Sequence, residues 1–159
     1  MDMSKFLVDD YFTTYEPKAR YMMGSSDPES LRLQEVIEDW SPYREKALGY
    51  ALGKGYAPLR EKLTRFYQTI TSEQIAVLNG GEESIYVTMR ALLQPGDDVV
   101  VQMPIYQSLF VVAQEIGCRM IPYRPCFEQN WNFDLAALTQ KITPKTKLLI
   151  LNYPHNPTG

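Results

Sequence analysis

Four short stretches of this sequence combine glycine, proline, aromatic and amide residues, the types that build tight turns and can also present backbone N–H groups, rings and amides to a ligand. In Leu78-Asn79-Gly80-Gly81-Glu82-Glu83-Ser84, two glycines fall where a strand would pass into a helix. Glycine lets a backbone approach a ligand closely and adopt positive φ. The free N–H groups at a helix N-terminus can then hold a phosphate. A plain strand–turn–helix connection uses the same residues. No Gly-Lys-Ser/Thr follows, so this is not a P-loop, and the turn lacks the G-x-G-x-x-G spacing. Glu82 and Glu83 suit the helix dipole. Their carboxylates would repel a phosphate, which leaves contact to backbone N–H groups or the Ser84 hydroxyl.

In Met103-Pro104-Ile105-Tyr106 a proline halts a strand and an aromatic opens a helix. Tyr106 is either a core tyrosine on an amphipathic helix or a ring stacked on a flat cofactor. Asn156-Pro157-Thr158-Gly159 makes a turn; functionally, Asn156 would offer an amide to a phenolate oxygen. Leu48-Gly49-Tyr50, Gly55 and Leu59-Arg60 form a glycine-rich approach to a helix, with one exposed aromatic, Tyr50. A phosphate-type turn, an aromatic and an amide at successive strand ends would suit a flat, phosphorylated, phenol-bearing ligand. Pyridoxal 5'-phosphate has that shape and those groups.

The elements that must position these residues follow from hydrophobic periodicity. Ile75–Leu78, Val99–Val101, Arg119–Tyr123 and Lys147–Leu151 read as strands. Helices are expected over Ser84–Leu93, ended by Pro95-Gly96-Asp97, and over Tyr106–Ile116, with Gly117 just past its end. Asp134 should cap a short helix bearing Leu135, Leu138 and Ile142. Upstream, Tyr56, Leu59, Leu63, Phe66 and Ile70 fall on one helical face. Asp27-Pro28 looks like a cap and first residue of a helix carrying Leu33, Val36, Ile37 and Trp40, stopped at Ser41-Pro42. Phe127–Phe133 reads as a loop. Strands alternating with helices indicate an α/β fold with a mostly parallel sheet and helices on both faces. Continuous apolar strands agree with that burial. Residues 1–46 read as an N-terminal arm and small-domain segment, and 47–159 as an incomplete large domain.

Composition bounds the function. The 159 residues carry 16 Lys+Arg against 19 Asp+Glu, a formal charge of -3, with 45% hydrophobic and 22% charged residues. This is an ordinary soluble balance. It lacks the basic excess of a non-specific nucleic-acid binder, so no nucleic-acid partner is expected. The longest apolar runs are too short to span a bilayer, and the N-terminus has no signal-type h-region. A cytoplasmic protein with no membrane partner is the resulting expectation. Cys118 and Cys126 read as free thiols. With His155 as the single histidine, a Cys/His zinc site is not expected.

The sequence resembles the N-terminal portion of class I/II pyridoxal-phosphate-dependent aminotransferases, which share the aspartate-aminotransferase fold, fold type I. The matching stretches are LGYALGKGYAPLR (48–60), LNGGEES (78–84), LLQPGDDVVVQMPIYQSL (92–109) and LLILNYPHNPTG (148–159). They occur in the family's order and at its intervals over roughly residues 47–159. The resemblance implies that Gly81 and Glu82 offer backbone N–H groups to the cofactor phosphate. It implies that Tyr106 stacks on the pyridine ring and that Asn156 hydrogen-bonds the ring's 3-hydroxyl oxygen. Tyr50 would reach the phosphate of a neighbouring subunit, which implies a homodimer with shared sites. Gly24, or Ser25 and Ser26, would meet the substrate carboxylate. The substrates would be an amino acid and a 2-oxo acid.

Two departures matter. Glutamates stand at 82 and 83, where the family often places a hydroxyl, a small residue or an amide. The family's acidic partner for the pyridine nitrogen, its Schiff-base lysine and its carboxylate-gripping arginine all fall downstream of the NPTG motif. No lysine here matches that catalytic position, so no catalytic residue is assigned, and the 159 residues alone are expected to be inactive and to have poor solubility or stability. The alternatives are a non-catalytic remnant or dimerising, ligand-binding module, and a lyase or decarboxylase of the same fold. A nucleotide-binding α/β domain is disfavoured, because Val101-Gln102-Met103 ends the next strand with no acidic ribose-binding residue.

Overall fold

A computed structural model describes residues 6–50 and 52–159. The first five residues, and Ala51 of the LGYALGKGYAPLR stretch, lie outside the described residues. In chain order the helices and strands are α1 (Leu7–Tyr15), α2 (Leu33–Val36), α3 (Ala57–Leu63), α4 (Gly81–Leu92), β1 (Asp98–Gln102), α5 (Ser108–Ile116), β2 (Arg119–Tyr123), α6 (Leu135–Thr139) and β3 (Thr146–Ile150). The chain forms two compact units. One joins Leu78–Gly159 with the described residues of Met1–Phe12; the other is Thr13–Val77.

The first unit is built on a parallel sheet of order β2-β1-β3. Every residue of β1 is buried. Side chains alternate across a strand, so its valines feed two cores. Val99 and Val101 pack with Met89 and Leu93 of the α4 region, Ala113 and Ile116 of α5, and Ile105 and Ile150. Val100 packs on the other face with Tyr123 and Leu138, flanked by Ile121, Phe133, Ala137 and Leu149. Helices thus cover both faces, as the continuous apolar strands implied. Pro122 is tolerated in β2 because that strand lies at the edge of the sheet.

Local signals explain the ends of these elements. Gly117, at φ +92°, closes α5 by donating to the carbonyls of Ala113 and Gln114. The Asp134 carboxylate accepts from the Ala137 N–H at 2.9 Å, the expected cap of α6. The buried Tyr123 hydroxyl accepts from the Asp134 N–H at 2.7 Å, which satisfies that phenol.

The sheet has one buried charge. Asp98 begins β1 opposite Arg119 of β2; it is 2% exposed and accepts from Arg119 Nε at 2.7 Å as half of a two-pronged pair. The Arg119 hydrogen bond, with help from its charge and that of Lys145, outweighs desolvation and holds the Asp98 carboxyl below its ordinary value. A carboxyl depressed by folding contributes stability above its unfolded pKa, and this is lost as pH falls through the folded value. Urea midpoints should therefore drop as the pH is lowered below about 4, the ordinary carboxylate value. They should drop less for Asp98→Asn than for wild type; equal drops would remove Asp98 from the acid response.

Three expectations from periodicity are corrected. Ile75–Leu78 is not a strand. It runs without a ladder, and the Val77 N–H donates instead to the Lys54 carbonyl at 3.0 Å. Asp27-Pro28 starts no helix: the Asp27 carboxylate accepts from the Ser25 hydroxyl. Regular helix begins only at Leu33, where Glu35 accepts from the Arg32 N–H at 2.7 Å. The apolar stripe from Tyr56 to Ile70 is also interrupted. α3 ends at Leu63, a short 3-10 turn follows over Thr64–Phe66, and Tyr56, Leu59 and Phe66 are exposed. The buried residue of α3 is Arg60, which donates to the Ser72 carbonyl at 2.7 Å and pairs with Glu73. Helix α1 carried no expectation at all. Among the described residues no helix is long and apolar enough to cross a membrane.

Candidate functional site

The carboxyl-terminal edge of the sheet and the start of α4 carry the residues singled out for chemistry. Gly80 sits at φ +96° immediately before α4, a conformation that favours glycine. A methyl group at Gly80 or Gly81 would meet no atom within 4 Å, so the helix start opens onto free space. α4 runs twelve residues from Gly81, and its first N–H groups have no helical acceptor. The Ser84 hydroxyl donates back to the Gly80 carbonyl at 2.9 Å.

Both glutamates at this helix start have partners. Glu83 accepts from the Asn79 N–H at 2.5 Å and closes the turn. Glu82 accepts from the Ser108 hydroxyl at 3.2 Å. Ser108 is 3% exposed and opens α5, two residues beyond Tyr106. That bond ties the glycine turn to the loop carrying Tyr106. Tyr106 itself is half-buried, and its ring lies edge-on to Phe6 at 6.3 Å between centroids.

The loop after β3 is tied to the same place. His155, 6% exposed, places Nε2 at 2.7 Å from the Pro104 carbonyl and Nδ1 at 2.5 Å from the Thr158 hydroxyl. Buried Gln102, the last residue of β1, accepts from the Asn152 N–H at 3.3 Å. Asn152 in turn accepts from the Asn156 N–H at 3.0 Å. Asn156 is exposed. Glu82–Ser108 and Pro104–His155 therefore join the glycine turn at the start of α4 to the two loops that follow β1 and β3. Tyr50 and Gly24 belong to the Thr13–Val77 unit, where both are exposed.

Four residues of this edge went unassigned in the sequence. Ser108, Asn152 and Gln102 act through hydrogen bonds that no spacing rule specifies. Gln102 did carry a signal, being the single polar side chain after three valines. His155 carried another, since a lone histidine in an otherwise proline-rich turn invites a structural role.

Known proteins share part of this sequence and fold. The chain is 33% identical over 115 residues to an arginine–pyruvate transaminase of Pseudomonas aeruginosa, covering 69% of this chain and 29% of that protein. It is 31% identical over 144 residues to an aspartate aminotransferase of Sulfurisphaera tokodaii, covering 86% of this chain and 36% of that protein. It therefore spans about a third of the length of these curated relatives. A PLP-dependent aminotransferase from Streptococcus suis superposes on it with a TM-score of 0.90 and 27% identity, over 99% of this chain and 44% of that one. The family model for aminotransferase class I and II matches residues 23–159, a span that contains the glycine turn, the Tyr106 loop and the Asn156 loop, and the chain belongs to that family.

Proposed function

We propose that these residues form the N-terminal part of a pyridoxal-phosphate-dependent aminotransferase, which moves an amino group between an amino acid and a 2-oxo acid. The observation that carries the reading is the bonded edge, in which a helix start open to an anion, a half-buried tyrosine and an exposed asparagine are held together. The donor set fits the cofactor's groups. The backbone N–H groups of Gly81 and Glu82 would take the phosphate, Tyr106 the face of the ring, and Asn156 the ring's hydroxyl oxygen. Glu82 and Glu83 each accept a bond from the protein, which leaves contact with the phosphate to the backbone N–H groups of the turn.

When bound, the cofactor supplies an electron sink for the carbon that loses a proton. This chain's share is to bind and orient it. In the same reading Tyr50 reaches the phosphate of a second subunit in a cytoplasmic homodimer, and Gly24 lies near the substrate carboxylate. Residues 1–46 form the arm and small-domain segment, and 47–159 belong to the cofactor-binding domain. The lysine that bonds the cofactor, its acidic partner and the substrate-gripping arginine have no counterpart among these 159 residues.

Titration with pyridoxal 5'-phosphate and with pyridoxal, followed by borohydride reduction and intact mass, tests this reading. The phosphorylated form should bind reversibly and at least about tenfold more tightly, since each tenfold requires only about 1.4 kcal/mol from charge-assisted bonds. No single lysine should be modified. Equal affinity for both forms would remove the phosphate role of the Gly80-Gly81 turn. A single mapped lysine adduct would overturn the assignment of the reactive lysine to sequence outside these residues.

A further inference from the structure

The three motifs of the proposed cofactor site are joined by side chains that no cofactor contact requires. The most constrained is His155. It is 6% exposed, is the chain's single histidine, and has both ring nitrogens in hydrogen bonds. Pro104 can offer Nε2 nothing but a carbonyl oxygen, which accepts and cannot donate. Nε2 must therefore carry a proton. In the neutral ring Nδ1 is then an acceptor, and the Thr158 hydroxyl, which can donate, lies beside it. Chemistry thus selects one tautomer.

The consequence concerns the neighbours. Pro104 lies two residues before Tyr106, and His155 lies one residue before Asn156. The 2.7 Å bond between them fixes the distance between the loop that presents the ring and the loop that presents the amide. The Asn156 loop is closed on itself by the Gly159 N–H, which donates to the His155 carbonyl at 2.7 Å. It is anchored to the end of β1 through Asn152 and Gln102. Without His155 that anchor remains, but the cross-loop bond does not.

We infer that His155, as the Nε2–H tautomer bonded to the Pro104 carbonyl, is a positioning residue that sets the Asn156 loop against the Tyr106 loop for cofactor binding. The role rests on the cofactor reading above; the brace itself does not. Two substitutions separate the bonds. His155→Gln can place an amide N–H near the site of Nε2 and keep donation to Pro104. The shorter His155→Asn reaches only the Nδ1 side, towards Thr158.

Two measurements decide the matter. Imidazole nitrogen NMR, unambiguous with one histidine, should show Nε2 protonated and Nδ1 as the acceptor nitrogen. The opposite tautomer, or rapid exchange between the two, overturns the brace whatever binds. Titration with pyridoxal 5'-phosphate, read by the circular dichroism induced in the cofactor's own absorption band, tests the role. Wild type and His155→Gln should agree within about threefold, whereas His155→Asn should bind roughly tenfold more weakly with a reduced induced signal, as expected for one lost buried hydrogen bond. Thermal unfolding in parallel identifies any variant that fails to fold. Equal binding and equal induced signal in folded His155→Asn, or equal losses in both folded variants, overturn the positioning role. Failure of wild type to bind overturns the cofactor reading and the role with it, while the tautomer still decides the brace.

Discussion

Val100→Asp is expected to abolish cooperative folding of the unit formed by Leu78–Gly159. Val100 is 0% exposed at the centre of the middle strand, with Ile121 and Leu149 as its register partners on either side. Its surroundings are Tyr123, Leu138, Phe133 and Ala137, none of which carries a charge. An ionised carboxylate there costs several kcal/mol, of order 5, against a typical total domain stability of about 5–15 kcal/mol. Protonation would remove the charge but leave a buried polar group unsatisfied, still a cost of about 1–3 kcal/mol. Urea unfolding followed by far-UV circular dichroism should show no native baseline for this variant. Val100→Ala, which only vacates space, should retain a transition at a reduced midpoint, with the unfolding free energy down by about 2 kcal/mol. A wild-type midpoint for Val100→Asp would mean that the α6 face of the sheet is not closed.

The second large effect belongs to the Thr13–Val77 unit. Gly55 has φ +91°, and a Cβ built there would stand 2.7 Å from the Val77 Cβ and 3.2 Å from its carbonyl oxygen. Two costs combine in Gly55→Ala. A side chain at that φ costs about 1–3 kcal/mol, and the crowding adds about 1–3 kcal/mol more. The contact is backbone-close on both sides, so no rotamer change relieves it. Moving the backbone would break the bond from the Val77 N–H to the Lys54 carbonyl next door. Asparagine tolerates positive φ better than alanine, so Gly55→Asn should recover only the conformational share. Gly53→Ala is the control, because a Cβ there meets nothing within 4 Å. The unfolding free energy from denaturant titration should fall by about 2–6 kcal/mol for Gly55→Ala and little for Gly53→Ala. Equal midpoints for the two would show that Gly55 and Val77 are not packed as described.

Where burial was two-sided, the amino-acid sequence determined the structure by itself. Val99-Val100-Val101 cannot alternate with polar residues, so β1 had to lie between two helical layers, and it does. Asp134 and Gly117 carry their element boundaries in their own chemistry, one as a carboxylate cap and one as a residue at ease at positive φ. The same is true of the order of the motifs, which placed the chain in its family before any fold was known.

Tertiary structure alone decided the rest. Ile75–Leu78 has strand composition, yet a strand also needs a neighbouring ladder, and the Val77 N–H found the Lys54 carbonyl instead. Arg60 is buried under an apolar-looking stripe because the Ser72 carbonyl and Glu73, from a turn twelve residues on, take up its Nη1. The bonds that join the three motifs link residues 26 to 51 positions apart. Glu82 was legible as a charge near a phosphate turn; that Ser108 would hold its carboxylate was not. Local periodicity reports which face of an element is apolar, and it says nothing about which polar partners folding brings within hydrogen-bond distance.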